Sequence, residues 1–294
     1  MEIKNKSFTQ ERALFDAKGV HVSDSTFDGP GESPLKQSKD SEVKNVSFKY
    51  KYPLWYSSNV RLEDTRFYEL GKSGIWYTND ISMKNVQIDA PKEFRRCKNV
   101  SLEDVDFLNA QETLWTCDGI SLKNVTAKGD YFAMNSSNMK CHNFSLEGNY
   151  FFDGGKNIEV RNSKLVSKDA FWNCENVVVY DSVIIGEYLG WNSRNLTFVN
   201  CQIESNQGFC YIDGLKLVNC TFNKTDLSFE YCTSIDAEVK GKIDSVKNPC
   251  SGKIKCDEIG QLILDSTKID VDATEIICPK INQRIEGISD PWVD

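Results

Sequence analysis

The chain has 294 residues, 40% hydrophobic and 27% charged, with a formal net charge of −8 and a sequence pI of about 5.1. No apolar run is long enough for a membrane-spanning helix, and the acidic balance argues against a nucleic-acid partner. The charged start MEIKNKSFTQERALF leaves no secretory leader to expect, so the 11 cysteines read as reduced thiols of a cytoplasmic protein. With only His21 and His142 available, a histidine-built zinc site is disfavoured, and no metal or cofactor is expected.

Residues 1–40 read as an N-terminal coil and cap. SFTQERALF supplies Glu11 and Arg12, and DGPGESPLK supplies Asp28, Glu32 and Lys36. In the repeat register Glu11 stacks under Glu32, with Lys51 and Lys72 in the following coils. Such a stack either holds a ligand or neutralises itself at a capped end.

From Val20 onward a pattern, apolar-x-apolar-x-(Asn/Asp)-x-x-apolar, recurs every 19 to 21 residues, as in VRLEDTRF at Val60, VSLEDVDF at Val100 and VVVYDSVI at Val177. Its third position runs Val22, Val43, Leu62, Met83, Leu102, Leu122, Cys141, Val160, Val179, Phe198, Leu217 and Ala237. Alternation within each copy is the period-2 signature of a strand. Before each strand stands only Gly, Asn or Asp, from Gly19 and Asp40 to Asn195 and Gly214, the residues that most readily take φ > 0. A second polar column, Asp24 and Asn45 through Asn200 and Asn219, is placed to form a side-chain ladder between stacked coils. The fold class predicted is all-β: a single-stranded right-handed parallel β-helix of about 11 coils, one domain over 1–294. Regular coils span 41–238, and 239–294 read as irregular coils and a C-terminal cap. Cys97, Cys117, Cys174 and Cys232 share one register and Cys201 and Cys220 another, which reads as small thiols stacked in a core.

A second strand is predicted ahead of each turn. Its inward column is Leu14, Leu35, Leu54, Ile75, Phe94, Leu114, Ala133, Phe152, Phe171, Gly190, Phe209 and Phe229. The next residue should point outward, and five of the six tryptophans fall there: Trp55, Trp76, Trp115, Trp172 and Trp191, with Arg95 and Asp153 among them. Exposed indoles need a reason, and indole faces stack on sugar rings. Tyr131 and Tyr150 flank the ridge on one side and Arg96 on the other, the composition of a glycan groove. For glycoside cleavage Asp153 and Asp169 are the candidate acids. They lie about 11 Å apart by strand spacing, marginal for an inverting pair and too far for a retaining one.

The motifs ERALF, GESPLK, the LWYS and IWYT strands and the NVSLEDV-type repeats resemble the DUF3737 family, bacterial proteins of unknown function, over residues 1 to 290. The resemblance implies a pectin-lyase-like β-helix and brings no activity with it. The function expected is therefore a carbohydrate-binding or carbohydrate-active β-helix, a polysaccharide lyase or glycoside hydrolase if an enzyme. Its partner would be an oligosaccharide or polysaccharide along the tryptophan ridge. The alternative is a non-enzymatic protein that forms a homo-oligomer through the same ridge.

Overall fold

A computed structural model describes residues 1–287, which form strands and turns and contain no helix. Contacts divide the chain into two units, Met1–Phe151 and Phe152–Asp294, and each is a parallel β-solenoid. Together the described residues of the two units make about 15 turns, more than the sequence pattern marks. The added turns lie at the ends. Glu2–Lys4 and Ser7–Phe8 pair in parallel with His21–Phe27. At the other end Ile235–Lys240, Gly252–Lys255 and Thr274–Ile277 pair in succession, as do Lys242–Lys247, Glu258–Leu264 and Ile281–Glu286. The first of them, MEIKNKSF, carries Asn5 in register with Asp24 and was not counted from the sequence, while the turns at Gly252 and Thr274 lack the Asn/Asp columns. The tail from 288 to 294, with Trp292, lies outside the described residues.

In the first unit the register is the one read from the repeat. Val43 faces Val22, Leu62 faces Val43, Met83 faces Leu62 and Leu122 faces Leu102. The second core column stacks likewise, with Phe8, Phe27, Phe48 and Phe67 piled at ring spacings of 4.8, 5.1 and 4.7 Å. In the second unit Val160, Val179, Phe198, Leu217 and Ala237 continue in register. Burying each such side chain contributes about 1.5–3 kcal/mol.

Corners are turned by single residues in the left-handed region. Asp40, Asn59, Asp80, Asn99 and Asn138 hold φ of 51, 50, 55, 56 and 55° at one corner, and Asp24, Asn45, Asp64, Asn85 and Asn124 hold 51, 52, 53, 53 and 54° at the other. Asn and Asp tolerate this conformation better than other residues with a Cβ. Their side chains also bond between turns: Asn45 Nδ2 donates to Asp24 Oδ1 at 2.7 Å, Asn85 to Asp64 at 2.6 Å, and Asn99 to Asp80 at 2.7 Å. That bond draws the Asp24 carboxyl below its usual pKa.

The third side of each coil departs from expectation. It is not a strand. Every second residue is left-handed, as in Tyr52, Leu54 and Tyr56 at 62, 60 and 57°, or Lys92, Phe94 and Arg96 at 65, 58 and 54°. The inward column keeps its place, with Leu35, Leu54, Ile75, Phe94, Leu114, Phe152, Phe171 and Phe209 fully buried, but a strand's strict alternation is lost: Trp55 and Tyr56 are consecutive outward residues, and Glu93 and Phe94 consecutive buried ones. A left-handed residue with a Cβ costs about 1–2 kcal/mol, a cost offset by the burial of its own side chain. At Gly190 the column is filled by the buried side chain of Ile212, whose Cδ1 would lie 2.8 Å from a Cβ there.

This backbone leaves carbonyls facing the core, and a column of Ser, Thr and Cys satisfies them. Ser57 Oγ donates to Leu35 O at 2.8 Å, Cys97 Sγ to Ile75 O at 2.8 Å, Ser136 Oγ to Leu114 O at 2.6 Å and Ser193 Oγ to Phe171 O at 2.6 Å. Thr78 Oγ1 donates to Leu54 O in the same way. Three of them also accept an amide from the turn before: Ser136 from Cys117 N at 2.9 Å, Ser193 from Cys174 N at 2.8 Å and Thr78 from Ser57 N at 3.3 Å. Cys97, Cys117, Cys174 and Cys232 are thus hydrogen-bond donors in a hydroxyl column. They are more than the apolar filler read from the sequence, and all 11 cysteines are free thiols.

Ser136→Ala is expected to destabilise the protein by about 1–3 kcal/mol, since it strands both the Leu114 carbonyl and the Cys117 amide. Ser136→Cys should cost clearly less. Urea unfolding of the two variants checks this, and equal losses would refute the donor role.

Candidate functional site

The outward residues of the turn side form two surfaces, one in each unit. In the first unit Trp55 and Trp76 stack with ring centroids 5.0 Å apart and planes 8° from parallel. The Arg95 guanidinium sits between Trp76 and Trp115, at 4.8 and 4.5 Å from their ring centroids. Trp55, Trp76 and Trp115 also donate their indole N–H groups to the carbonyls of Ser73, Lys92 and Tyr131, at 2.6, 2.9 and 2.6 Å. The ridge is therefore half-buried. Its faces pack on neighbours and its N–H groups are spent on backbone, which removes the indole-face stacking and the rim donor expected from the sequence.

What meets solvent is the next column. Tyr56 is 47% exposed and Tyr77 37%, with their rings stacked 4.7 Å apart at an interplanar angle of 3°. Arg96 and Thr116 continue the column, exposed. On the other flank Tyr131 and Tyr150 stack at 4.9 Å. Glu112 takes Arg95 at 2.6 Å and Lys92 at 3.3 Å.

In the second unit Trp172 and Trp191 meet edge to face at 4.4 Å, and the Trp172 N–H donates to Tyr188 O at 2.7 Å. Trp191 is 40% exposed and Tyr211 48%. Asp153 Oδ1 accepts from Asn173 Nδ2 at 2.8 Å, and Asn173 Oδ1 from Asn192 Nδ2 at 2.8 Å. Asp169, read from the sequence as an accessible acid beside the ridge, is only 1% exposed. It shares its left-handed φ of 58° with Tyr131 and Tyr150 at 59 and 57°, which stay at the surface. Cys210 and Glu230, which follow Trp191 in the ridge register, are buried too. Glu230 is held there by Lys247 at 2.8 Å and Gln207 at 2.5 Å.

The N-terminal charges neutralise one another. Glu32 N donates to Glu11 Oε2 at 2.8 Å, and Glu32 Oε1 pairs with Lys51 at 3.0 Å. Lys36 instead lies over Trp55 and Tyr56, at 5.7 and 5.9 Å.

Two features were missed in the sequence. A shallow groove of about 560 Å³ runs over the strands Lys39–Phe48 to Lys98–Phe107, lined by Glu42, Lys44, Arg61, Glu63, Lys84 and Glu103 around Ser82 and Ser101. The alternation Lys44, Glu63, Lys84, Glu103 in one outward column was its signal. Lys44–Glu63 at 3.2 Å and Arg61–Glu42 at 3.8 Å already neutralise much of it. The second is Glu93, fully buried one residue before Phe94. Its Oε1 accepts Gly74 N at 3.1 Å, while Oε2 has no partner. Burial pushes its pKa well above the ordinary 4.5, so the acid is neutral in the fold. Gly74 makes room for it, since a Cβ there would lie 2.6 Å from Oε2.

The family model for proteins of unknown function DUF3737 matches residues 1–277. No curated protein sequence matches the chain. Among solved structures, the tailspike of Escherichia coli bacteriophage HK620, in complex with a hexasaccharide, is similar with a TM-score of 0.49 and 7% identity, over 96% of this chain and 73% of that one. The adhesin PfbA of Streptococcus pneumoniae gives 0.41 and 8%, over 98% and 89%. The A-module of an Azotobacter vinelandii mannuronan C-5 epimerase gives 0.29 and 10%, over 99% and 88%.

Glu93→Gln should raise the melting temperature at about pH 8 and change it little below the ordinary carboxylate pKa of 4.5. The folded state holds a proton that the unfolded state releases, so stability falls as pH rises above that value. A shift of equal size at every pH would refute the buried neutral acid. On the match over residues 1–277, the chain belongs to the DUF3737 family, whose proteins have no assigned function.

Proposed function

We propose that the chain is a binding module for an extended glycan, contacted through the polar rim of the turn side. The observation that carries this reading is the column Tyr56, Tyr77, Arg96 and Thr116, exposed on successive turns and spaced like the 4.7 Å tyrosine stack. That repeat is close to the length of one sugar unit, and it offers hydroxyls, ring edges and a guanidinium in a row. Hydroxyl-rich ligands are bound by such convergent polar groups on an aromatic base. Trp55, Trp76, Arg95 and Trp115 brace the column from beneath, and Tyr131 and Tyr150 flank it. In the second unit Trp191 and Tyr211 expose aromatic surface beside the Asn173 and Asn192 amides, and Trp172 supports them.

The proposal is of binding rather than turnover. Asp169 has almost no exposed surface, and Asp153 is held by Asn173. A cytoplasmic location is part of the same proposal, on the free thiols. A second reading, self-association through this side, is favoured by the exposed Trp191 and Tyr211, residue types enriched at protein interfaces.

Affinity electrophoresis against a panel of soluble polysaccharides, with light scattering for mass, separates the two. Retention of the wild type by at least one glycan, weakened tenfold or more in Tyr56→Ala/Tyr77→Ala at unchanged mass, is the expected result. No retention, or an oligomer that becomes a monomer on Trp191→Ala/Tyr211→Ala, would overturn glycan binding in favour of self-association.

A further inference from the structure

Five successive turns on the turn side of the first unit carry charge opposite to the chain as a whole, between one turn that holds Glu11, Arg12 and Asp16 and another that holds Asp130. Their segments 32–37, 51–56, 72–77, 91–96 and 111–116 hold six cations: Lys36, Lys51, Lys72, Lys92, Arg95 and Arg96. Facing them are the carboxylates of Glu32 and Glu112, while Glu93 is buried and neutral. Six against two leaves an excess of four positive charges on a chain whose net charge is −8. The two carboxylates are spent on Lys51 at 3.0 Å, and on Arg95 and Lys92 at 2.6 and 3.3 Å. Lys36, Lys72 and Arg96 have no carboxylate partner among the described residues.

Position matters as much as sign. Arg96 follows Tyr56 and Tyr77 in the exposed column, and Lys72 is exposed two turns from Lys36. Lys36 lies over the outer face of the Trp55 and Tyr56 pair. Unpaired surface cations beside hydroxyl-bearing rings recruit anions, and a guanidinium takes a carboxylate or sulfate through two parallel hydrogen bonds.

We propose that the ligand of this side is an anionic glycan, its carboxylate or sulfate groups taken by Arg96, Lys72 and Lys36 and its hydroxyls by Tyr56 and Tyr77. The inference rests on the glycan reading above and adds the charge of the polymer. A single-stranded nucleic acid is the other flexible polyanion to weigh. It binds chiefly by laying bases on free aromatic faces, and here those faces are taken: Trp55 packs on Trp76, Tyr56 on Tyr77, and Arg95 fills the gap between Trp76 and Trp115. Edges, hydroxyls and cations remain, which suit a sugar chain.

The test is electrophoresis of the full chain through gels containing hyaluronan, chondroitin sulfate or dextran, with a gel shift on poly(U). Retardation by hyaluronan and chondroitin sulfate but not dextran is expected, weakened at least tenfold in Lys36→Gln/Lys72→Gln/Arg96→Gln and by added salt. Thermal melts of the triple variant, all of whose sites lie at the surface, establish that it is folded. Retention by hyaluronan identifies the carboxylate as a recognised group, and retention by chondroitin sulfate alone identifies the sulfate. Equal retention by dextran, undiminished in the triple variant, overturns the anionic ligand and leaves glycan binding standing. No retention in any gel overturns both, and a shift on poly(U) without glycan retention overturns both in favour of a nucleic acid.

Discussion

The whole structure depends on the closure of each coil. A turn of about twenty residues that stacks on its neighbours must send every backbone N–H and C=O to the turn before or after, because none of them meets water once buried. Two sides of the coil meet this demand as strands. The third side meets it with alternate left-handed residues, and its inward carbonyls, such as those of Ile75 and Leu114, take side-chain donors. The Ser, Thr and Cys column is the consequence. It explains why Cys97, Cys117, Cys174 and Cys232 stand where other turns carry Ser57, Ser136 or Ser193. It also removes the need for a disulfide or metal to account for an odd number of thiols.

The same backbone shapes the outer surface. One column buries Leu54, Ile75 and Phe94, and the next two lift Trp55, Trp76 and Arg95 and then Tyr56, Tyr77 and Arg96 towards solvent. Parallel in-register stacking brings equivalent side chains within ring-stacking distance, so the indoles cover one another. Their N–H groups then find the nearest carbonyls, those of Ser73, Lys92 and Tyr131. The ridge is a girder, and the tyrosines and cations on its flank are the parts left for a ligand.

Charge distinguishes this side from the groove on the sheet of the first unit. In the groove Lys44, Glu63, Arg61 and Glu42 answer one another across turns, which is what an alternating column does when register is exact to the residue. Pairs this exposed contribute little stability. On the turn side the carboxylates are too few, and cations remain over. Beneath it Glu93 sits neutral and half-satisfied, a destabilising feature in the core directly under the Arg95 sandwich.

Fold class, coil period, register and the left-handed corners were all legible in the residues. Strand alternation and the restriction of corner positions to Gly, Asn and Asp are local, and each repeats often enough to be read without coordinates. The five-tryptophan column was legible for the same reason. Three things were not. The turn side reads as a strand because buried Leu54, Ile75 and Phe94 are followed by outward Trp55, Trp76 and Arg95, while its left-handed residues are not the Gly, Asn and Asp that mark the corners. The fate of the indole faces and N–H groups depends on what the neighbouring turns offer, which no single repeat encodes. The burial of Asp169 breaks the column of Tyr131 and Tyr150, and that of Cys210 and Glu230 ends the exposure of the tryptophan column. Local pattern determined where each side chain starts. Only stacking of the turns decided which of its faces remained free, because that is settled by residues some twenty positions away on either side.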